Sequence, residues 1–303
     1  MKPLSGSKWL ALFAVILFAL AGSNLRAQDA TGRIIGNVTD PSGAPILGAQ
    51  VTVTHTGTKL GHTTATDATG YYQVLSLPIG TYEVTVEAAG FRKETFEQQK
   101  LLIGQSLRLD AKLTIGQTTE SVEVSSQATN VETVSETIGS SVIGETIQRA
   151  PLNGRNVLDL AALQPGVTET NGDSGAAGKY SIAGGRSDSV TYLLDGALNN
   201  NLLDNSVVLN PNPDTIAEFR ILESNYSAEY GRNGGGVISV VTKSGTNEWH
   251  GSAFEFLRND AFNANPFFDK NDPNNLSPRP VLKRNQYGGT FGGPITIPHL
   301  VNG

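Results

Sequence analysis

Cysteine is absent from the 303 residues. That excludes disulfides, cysteine nucleophiles, thiolate zinc sites and a lipid-modified N-terminal cysteine. Positive charge is scarce: 22 Lys and Arg face 28 Asp and Glu, for a net charge of −6. No basic block occurs, which argues against a nucleic-acid partner, because phosphate binding needs clustered Lys and Arg. No apolar run reaches the roughly 20 residues that a membrane helix needs, although membrane β-strands leave a much weaker trace. Catalytic signatures are missing too. There is no Gly-X-Ser-X-Gly elbow, and the four histidines fall in no triad context. Gly184-Gly185-Arg186-Ser187 and the glycines of 231–236 lack the Gly-Lys-Ser/Thr ending of a phosphate loop. Asp173, Asp188, Asp195 and Asp204 miss EF-hand spacing and suit helix caps and turns. No catalytic residue, metal or cofactor is expected. What remains is the composition of a folded protein of about two domains, 38% hydrophobic with 34 Gly and 14 Pro.

The N-terminus reads as a secretory signal peptide. Lys2 and Lys8 precede a charge-free apolar run at 9–21, broken by Gly22 and Ser23. Cleavage is expected between Ala27 and Gln28. It would remove three cations and no acid, taking the charge from −6 to −9. The alternative, a membrane anchor, is disfavoured by the shortness of the run.

From residue 30 to 115 the period is two. Leu107, Leu109, Ala111 and Leu113 alternate with Arg108, Asp110 and Lys112; Tyr82, Val84 and Val86 alternate with Glu83, Thr85 and Glu87. Half-buried antiparallel strands require this alternation. Turns at Asp40-Pro41-Ser42-Gly43 and Asp67-Ala68-Thr69-Gly70 separate the runs, so about seven short strands form a sandwich. The order of turn, Tyr71-Tyr72, Gly80-Thr81-Tyr82 and Ala89-Gly90-Phe91 resembles the carboxypeptidase regulatory-like domain, a transthyretin-like, carbohydrate-binding-like β-sandwich. In that family the domain accompanies catalysis and does not perform it. His55 and His62 lack zinc-ligand spacing and read as strand or turn residues. One of Tyr71 and Tyr72 must face the core, which weakens a sugar-stacking role for the pair.

Residues 116–135 have linker composition around a short β-prone stretch, Ser121-Val122-Glu123-Val124-Ser125. By itself this is an ordinary linker. Between 136 and 245, helical readings fit 144–149 and 157–163, stopped by Pro151 and Pro165-Gly166. An apolar strand then closes on an Asp195-Gly196 turn, and Gly234-Gly235-Gly236 leads into the β-branched run 237–242. The succession resembles the plug of TonB-dependent outer-membrane transporters. The resemblance rests on Ile147 to Pro151 with Arg155 and the stretch from Leu158 to Val167, TYLLDG at 191–196, IAEFRIL at 216–222, SAEYG at 227–231 (with Glu229 and Gly231) and GGGVISVVTKSGTN at 234–247. With the carboxypeptidase-like domain in front it resembles the Oar-like branch. One departure stands out: Ile182-Ala183-Gly184 replaces the Ile-Arg-Gly of many plugs, and Arg186 is the nearest substitute for that charge.

The resemblance implies that 121–125 is a TonB box, the strand that TonB pairs with, and that the chain works at the outer membrane of a Gram-negative-type cell with its sandwich in the periplasm. Residues 246–303 then read as the start of the barrel. Ser252, Phe254 and Phe256 share one face of a strand, and Tyr287, Gly289 and Phe291 share one face of another, with the aromatic faces expected outward. A barrel that holds a plug has about 22 strands. The 58 residues 246–303 make only two or three, so a fragment of a longer receptor is expected. The expected fold is mainly β: sandwich, α+β plug, then the first strands of an incomplete transmembrane β-barrel. The implied activity is energy-coupled uptake of an unnamed substrate, carbohydrate and peptide being two candidates. The rival is a secreted or periplasmic sandwich that binds carbohydrate or peptide without transport.

Overall fold

The computed structural model describes residues 30–116, 121–124, 137–150, 152–170, 180–230, 233–264 and 281–295. The expected cleavage site at Ala27 and Gln28 lies outside them, as do Ser125 and Gly231.

The N-terminal body is a two-sheet sandwich. One sheet is built on β1 (Thr31–Thr39), flanked by β4 (Tyr71–Pro78) antiparallel and by β7 (Ser106–Arg108) and β8 (Ala111–Lys112) parallel. The other runs β3 (Gly61–Ala65), β2 (Gln50–His55), β5 (Gly80–Glu87), β6 (Lys93–Leu101), β9 (Ser121–Val124). Alternation drives the packing, because period-2 side chains pass to opposite faces. Ile34 and Val38 of β1, Val51 and Val53 of β2, and Val84 and Val86 of β5 are fully buried between the sheets. Tyr72 is the core member of the tyrosine pair, and its hydroxyl donates to the Leu109 carbonyl at 2.7 Å. Burial raises its pKa well above the ordinary tyrosine range. The expected turns are present. The Asp40 carboxylate accepts from Ser42 N–H and Ala44 N–H at 2.8 and 2.9 Å, and Asp67 does the same for Thr69 and Tyr71. These short-range bonds are why Asp punctuates turns, and the Ser42 and Thr69 hydroxyls, which also donate to the two carboxylates at 2.7 and 2.6 Å, lower the carboxyl pKa values most, with the backbone amides adding to the effect. At Gly36 a Cβ would stand 1.8 Å from the Leu109 carbonyl oxygen, so only glycine permits that approach.

The second body has a five-stranded sheet in the order β10 (Ile138–Ile143), β15 (Ile216–Ser224), β16 (Val237–Thr242), β13 (Thr191–Leu194), β14 (Ala197–Leu198). A side hairpin joins β11 (Val167–Glu169) to β12 (Tyr180–Ile182). β16 is nearly all β-branched and buried through its first five residues, as a central strand covered on both faces must be. On one face Phe219, Ile221, Ile238 and Val240 pack under the α-helix α1 (Gly144–Arg149) and a 3-10 helix (Val157–Leu163), through Ile147 and Leu160. The opposite face carries Leu193, Leu222 and Val237 with Tyr226 and Tyr230. Asp195 and Gly196 are both left-handed (φ 50° and 78°), the turn that matches a two-residue hairpin.

β17 (His250–Asn259) and β18 (Lys283–Gly292) form an antiparallel hairpin. Its facing corrects one expectation. Phe254 and Phe256 point towards the second body, where both rings meet Arg155, while Tyr287 and Phe291 point away and are about 80% exposed. Alternation fixes which residues share a face and leaves open which face is outward. The inward choice is permitted by Gly288, opposite Phe254, where a Cβ would stand 2.7 Å from the ring.

Candidate functional site

The stretch 121–124 lies at a sheet edge. β9 runs parallel to β6, with Lys93 opposite Ser121 and Phe96 opposite Val124, and is the last strand of its sheet among the described residues. The segment singled out in the linker is therefore a strand, and it is already seated on the sandwich.

A second feature joins the two bodies. β6 runs into a turn, Leu102 to Gln105, closed by the Gln105 N–H donating to the Leu102 carbonyl at 3.1 Å, with Gly104 left-handed (φ 62°). At its tip, Ile103 is 5% exposed. The Ile103 N–H donates to Glu218 Oε2 at 2.9 Å, and the Ile103 carbonyl accepts from Arg220. Glu218 and Arg220 stand two apart on β15 and so share a face. Together they imitate the edge of a strand, offering one acceptor and one donor to the N–H and carbonyl of a single residue. The Ser141 hydroxyl on β10 donates to the other Glu218 oxygen at 3.0 Å. Desolvation raises the Glu218 pKa; the hydrogen bonds and the Arg220 charge oppose it without cancelling it. A cleft of about 500 Å³ beside this grip is lined by Arg33, Ser76, Thr137, Arg220, Glu229 and Tyr230. Elsewhere, Asn247, at the entry to the hairpin, donates from its backbone and side chain to the Gly57 and Thr58 carbonyls of the sandwich at 3.0 and 2.9 Å.

The remaining motif residues are dispersed. Arg155, itself left-handed (φ 58°), ion-pairs with Asp214, and its guanidinium carbon lies 4.1 and 4.4 Å from the Phe254 and Phe256 ring centroids. Both partners are close to fully buried, 10% and 7% exposed at the side chain. The Asp195 carboxylate caps the end of β16 by accepting the Thr242 N–H at 2.7 Å. Gly235 and Gly236 allow close packing: a Cβ would stand 2.6 Å from the Ser189 oxygen or 2.4 Å from Ile182. Gly184 lies in an open left-handed turn. Arg186 does not supply a buried charge. Its side chain is 83% exposed and pairs with neighbouring Asp188. Glu229 sits on an exposed 3-10 turn. No metal-binding cluster of three or more His, Cys, Asp or Glu occurs among the described residues. His55 instead accepts the Thr58 N–H at 3.1 Å and packs edge-on against Tyr82. Sequence reasoning passed over Glu218, Arg220, Ile103 and Asp214. The available signal was the pair of opposite charges at alternate positions inside the otherwise apolar IAEFRIL.

Three family models match consecutive stretches of the chain: the carboxypeptidase regulatory-like domain at 33–114, the TonB-dependent receptor plug domain at 133–238 and an outer membrane beta barrel domain at 241–300. This succession is the domain order of TonB-dependent outer-membrane receptors, whose N-terminal domains lie in the periplasm. The chain is similar to the TonB-dependent transporter Oar of Myxococcus xanthus, 29% identical over 289 residues, a match that covers 91% of this chain and 26% of that relative. The chain thus spans about a quarter of that protein's length. Among solved structures it is similar to the siderophore receptor PirA of Acinetobacter baumannii (21% identity, 54% of this chain and 23% of that one, TM-score 0.39). It is also similar to the outer membrane transporter YddB of Escherichia coli (21% identity, 39% and 18%, TM-score 0.34).

Proposed function

We propose that the chain contributes the periplasmic and plug portions of a receptor that takes up a substrate across the outer membrane with energy delivered by TonB. The observation that carries this reading is β9, a short strand between the sandwich and the plug. Backbone groups at a sheet edge suit recognition by strand addition, in which the main chain supplies affinity. On this reading residues 121–125 are the TonB-pairing segment, residues 1–27 are a cleaved signal peptide, 30–115 the sandwich, 116–135 the linker, 136–245 the plug, and 246–303 the opening of the barrel. TonB pulls on the pairing segment, and the plug yields at its weakest unit to let substrate pass. No covalent bond is made or broken, so the protein acts as a transporter and not as an enzyme.

The test is uptake. Val122→Pro with Val124→Pro removes two backbone donors and bars regular strand pairing at both positions. Energy-dependent uptake should fall to the level of a TonB-deficient strain while the receptor still fractionates with outer membranes. Undiminished uptake would assign TonB pairing to another segment.

A further inference from the structure

We propose that TonB docks on this receptor by extending the sandwich's own sheet: its strand adds to the outer edge of β9 while β9 stays paired with β6. The inference rests on the reading of 121–125 as the TonB-pairing segment and adds where and in what state that segment is recognised.

The sheet order β3-β2-β5-β6-β9 makes β9 a terminal strand. A strand has two hydrogen-bonding edges. The parallel pairing with Lys93 to Phe96 uses one, and no strand among the described residues pairs with the other. Exposed edges are normally blunted with proline, lysine or a bulge. Ser121-Val122-Glu123-Val124 has neither residue, and its register with β6 runs without a break. Only Glu123 carries charge. The edge thus has the character of one kept open for a partner.

Energetics favour extension over displacement. Ordering the residues of a loose linker costs backbone entropy. β9 has met that cost by pairing with β6, so a partner strand finds its donors and acceptors already aligned. Displacement would forfeit the β6 pairing and leave β6 as the raw edge of a four-stranded sheet. Extension also gives the sandwich a mechanical task. β6 leads directly into the turn whose tip, Ile103, is held by Glu218 and Arg220 of the plug sheet. A pull on β9 therefore reaches the plug through β6 and this grip as well as along the chain towards β10.

These 303 residues contain no cysteine, so within them a disulfide staple has no native thiol to compete with, and any cysteine elsewhere in the receptor is replaced by serine. Ser121 and Lys93 are Cα partners on adjacent strands, which lie about 4.8 Å apart and within disulfide range. The whole receptor carrying Lys93→Cys and Ser121→Cys is purified in detergent and titrated with the periplasmic domain of TonB, oxidised and then reduced. The Kd should agree within about threefold in the two states, and a free peptide of residues 117–128 should bind at least tenfold more weakly, since ~1.4 kcal/mol of ordering already accounts for that factor. A tenfold or greater loss on oxidation, restored by reductant, would show that TonB strips β9 from β6 and would overturn the proposal. Hydrogen exchange on the unmodified receptor gives an independent reading. The amides of 93–96 should keep their protection when TonB binds, and their deprotection would again mean displacement. If neither peptide nor receptor binds TonB, the assignment of 121–125 fails, and that outcome is distinct from the other two.

Discussion

Glu218 is a carboxylate held 2% exposed on a strand face, where three donors converge on it or beside it: the Ile103 amide, the Ser141 hydroxyl and the Arg220 guanidinium. Burying a charge without such partners would be prohibitive. Even with them, desolvation dominates and the folded pKa lies above the ordinary glutamate value. The folded state therefore holds the proton more tightly than the unfolded chain does. The stability linked to that proton is fully present below the ordinary pKa and is lost as pH rises through the raised one. Glu218→Gln keeps an acceptor for Ile103 and cannot titrate. Melting temperatures from about pH 4 to about pH 8 should show the wild type losing ground to the Gln variant as pH rises. A difference that stays flat or grows in the wild type's favour would mean the carboxylate is better solvated than its burial indicates. Glu218→Ala is harsher at every pH, since it strands a buried amide and should cost about 1–3 kcal/mol.

At the scale of elements, legibility in the sequence followed hydrophobic contrast. β16 could be read because its β-branched run has one outcome at the centre of a sheet, and the strands of the sandwich because Val and Thr alternate cleanly. β10 could not. Gly139, Ser140 and Ser141 give no period, and the strand exists because β15 offers it an edge to pair with. The stretch 121–124 was recognisable as β-prone, yet its partner β6 could not be found, because a parallel pairing across 28 positions leaves no local mark. The hairpin β17–β18 was legible in extent and not in facing, since Arg155 and Asp214, which draw Phe254 and Phe256 inward, lie far off in the chain. That cluster also predicts how strongly the hairpin is tied to the plug. Arg155→Met leaves Asp214 buried without its countercharge and should destabilise the plug by roughly 3–5 kcal/mol. Adding Asp214→Asn should recover a substantial part, because two neutral groups replace one stranded charge. A denaturant-unfolding cycle of both singles and the double measures this, and strictly additive losses would show that the pair is not coupled.

Among the described residues, sandwich, plug and barrel strands meet at the Ile103 turn on β15, at Asn247 on the Gly57–Thr58 carbonyls, and at Arg155 against the two phenylalanines. The first is the most demanding geometrically, because the turn can present both its N–H and its carbonyl only with Gly104 left-handed. A Cβ at Gly104 would come within 3.2 Å of the Tyr230 hydroxyl, and a β-branched side chain at positive φ adds roughly 1–2 kcal/mol of backbone strain. Gly104→Val should therefore undock the turn from β15 while leaving intact the sandwich core built on Ile34, Val38, Val51, Val53, Val84 and Val86. Limited proteolysis of the receptor should then cut faster between sandwich and plug and release the sandwich as a folded fragment. If cutting between the domains stays at the wild-type rate, the Asn247 contacts alone suffice to hold the sandwich, and a pull on β9 would reach the plug along the chain and not through the Glu218–Arg220 grip.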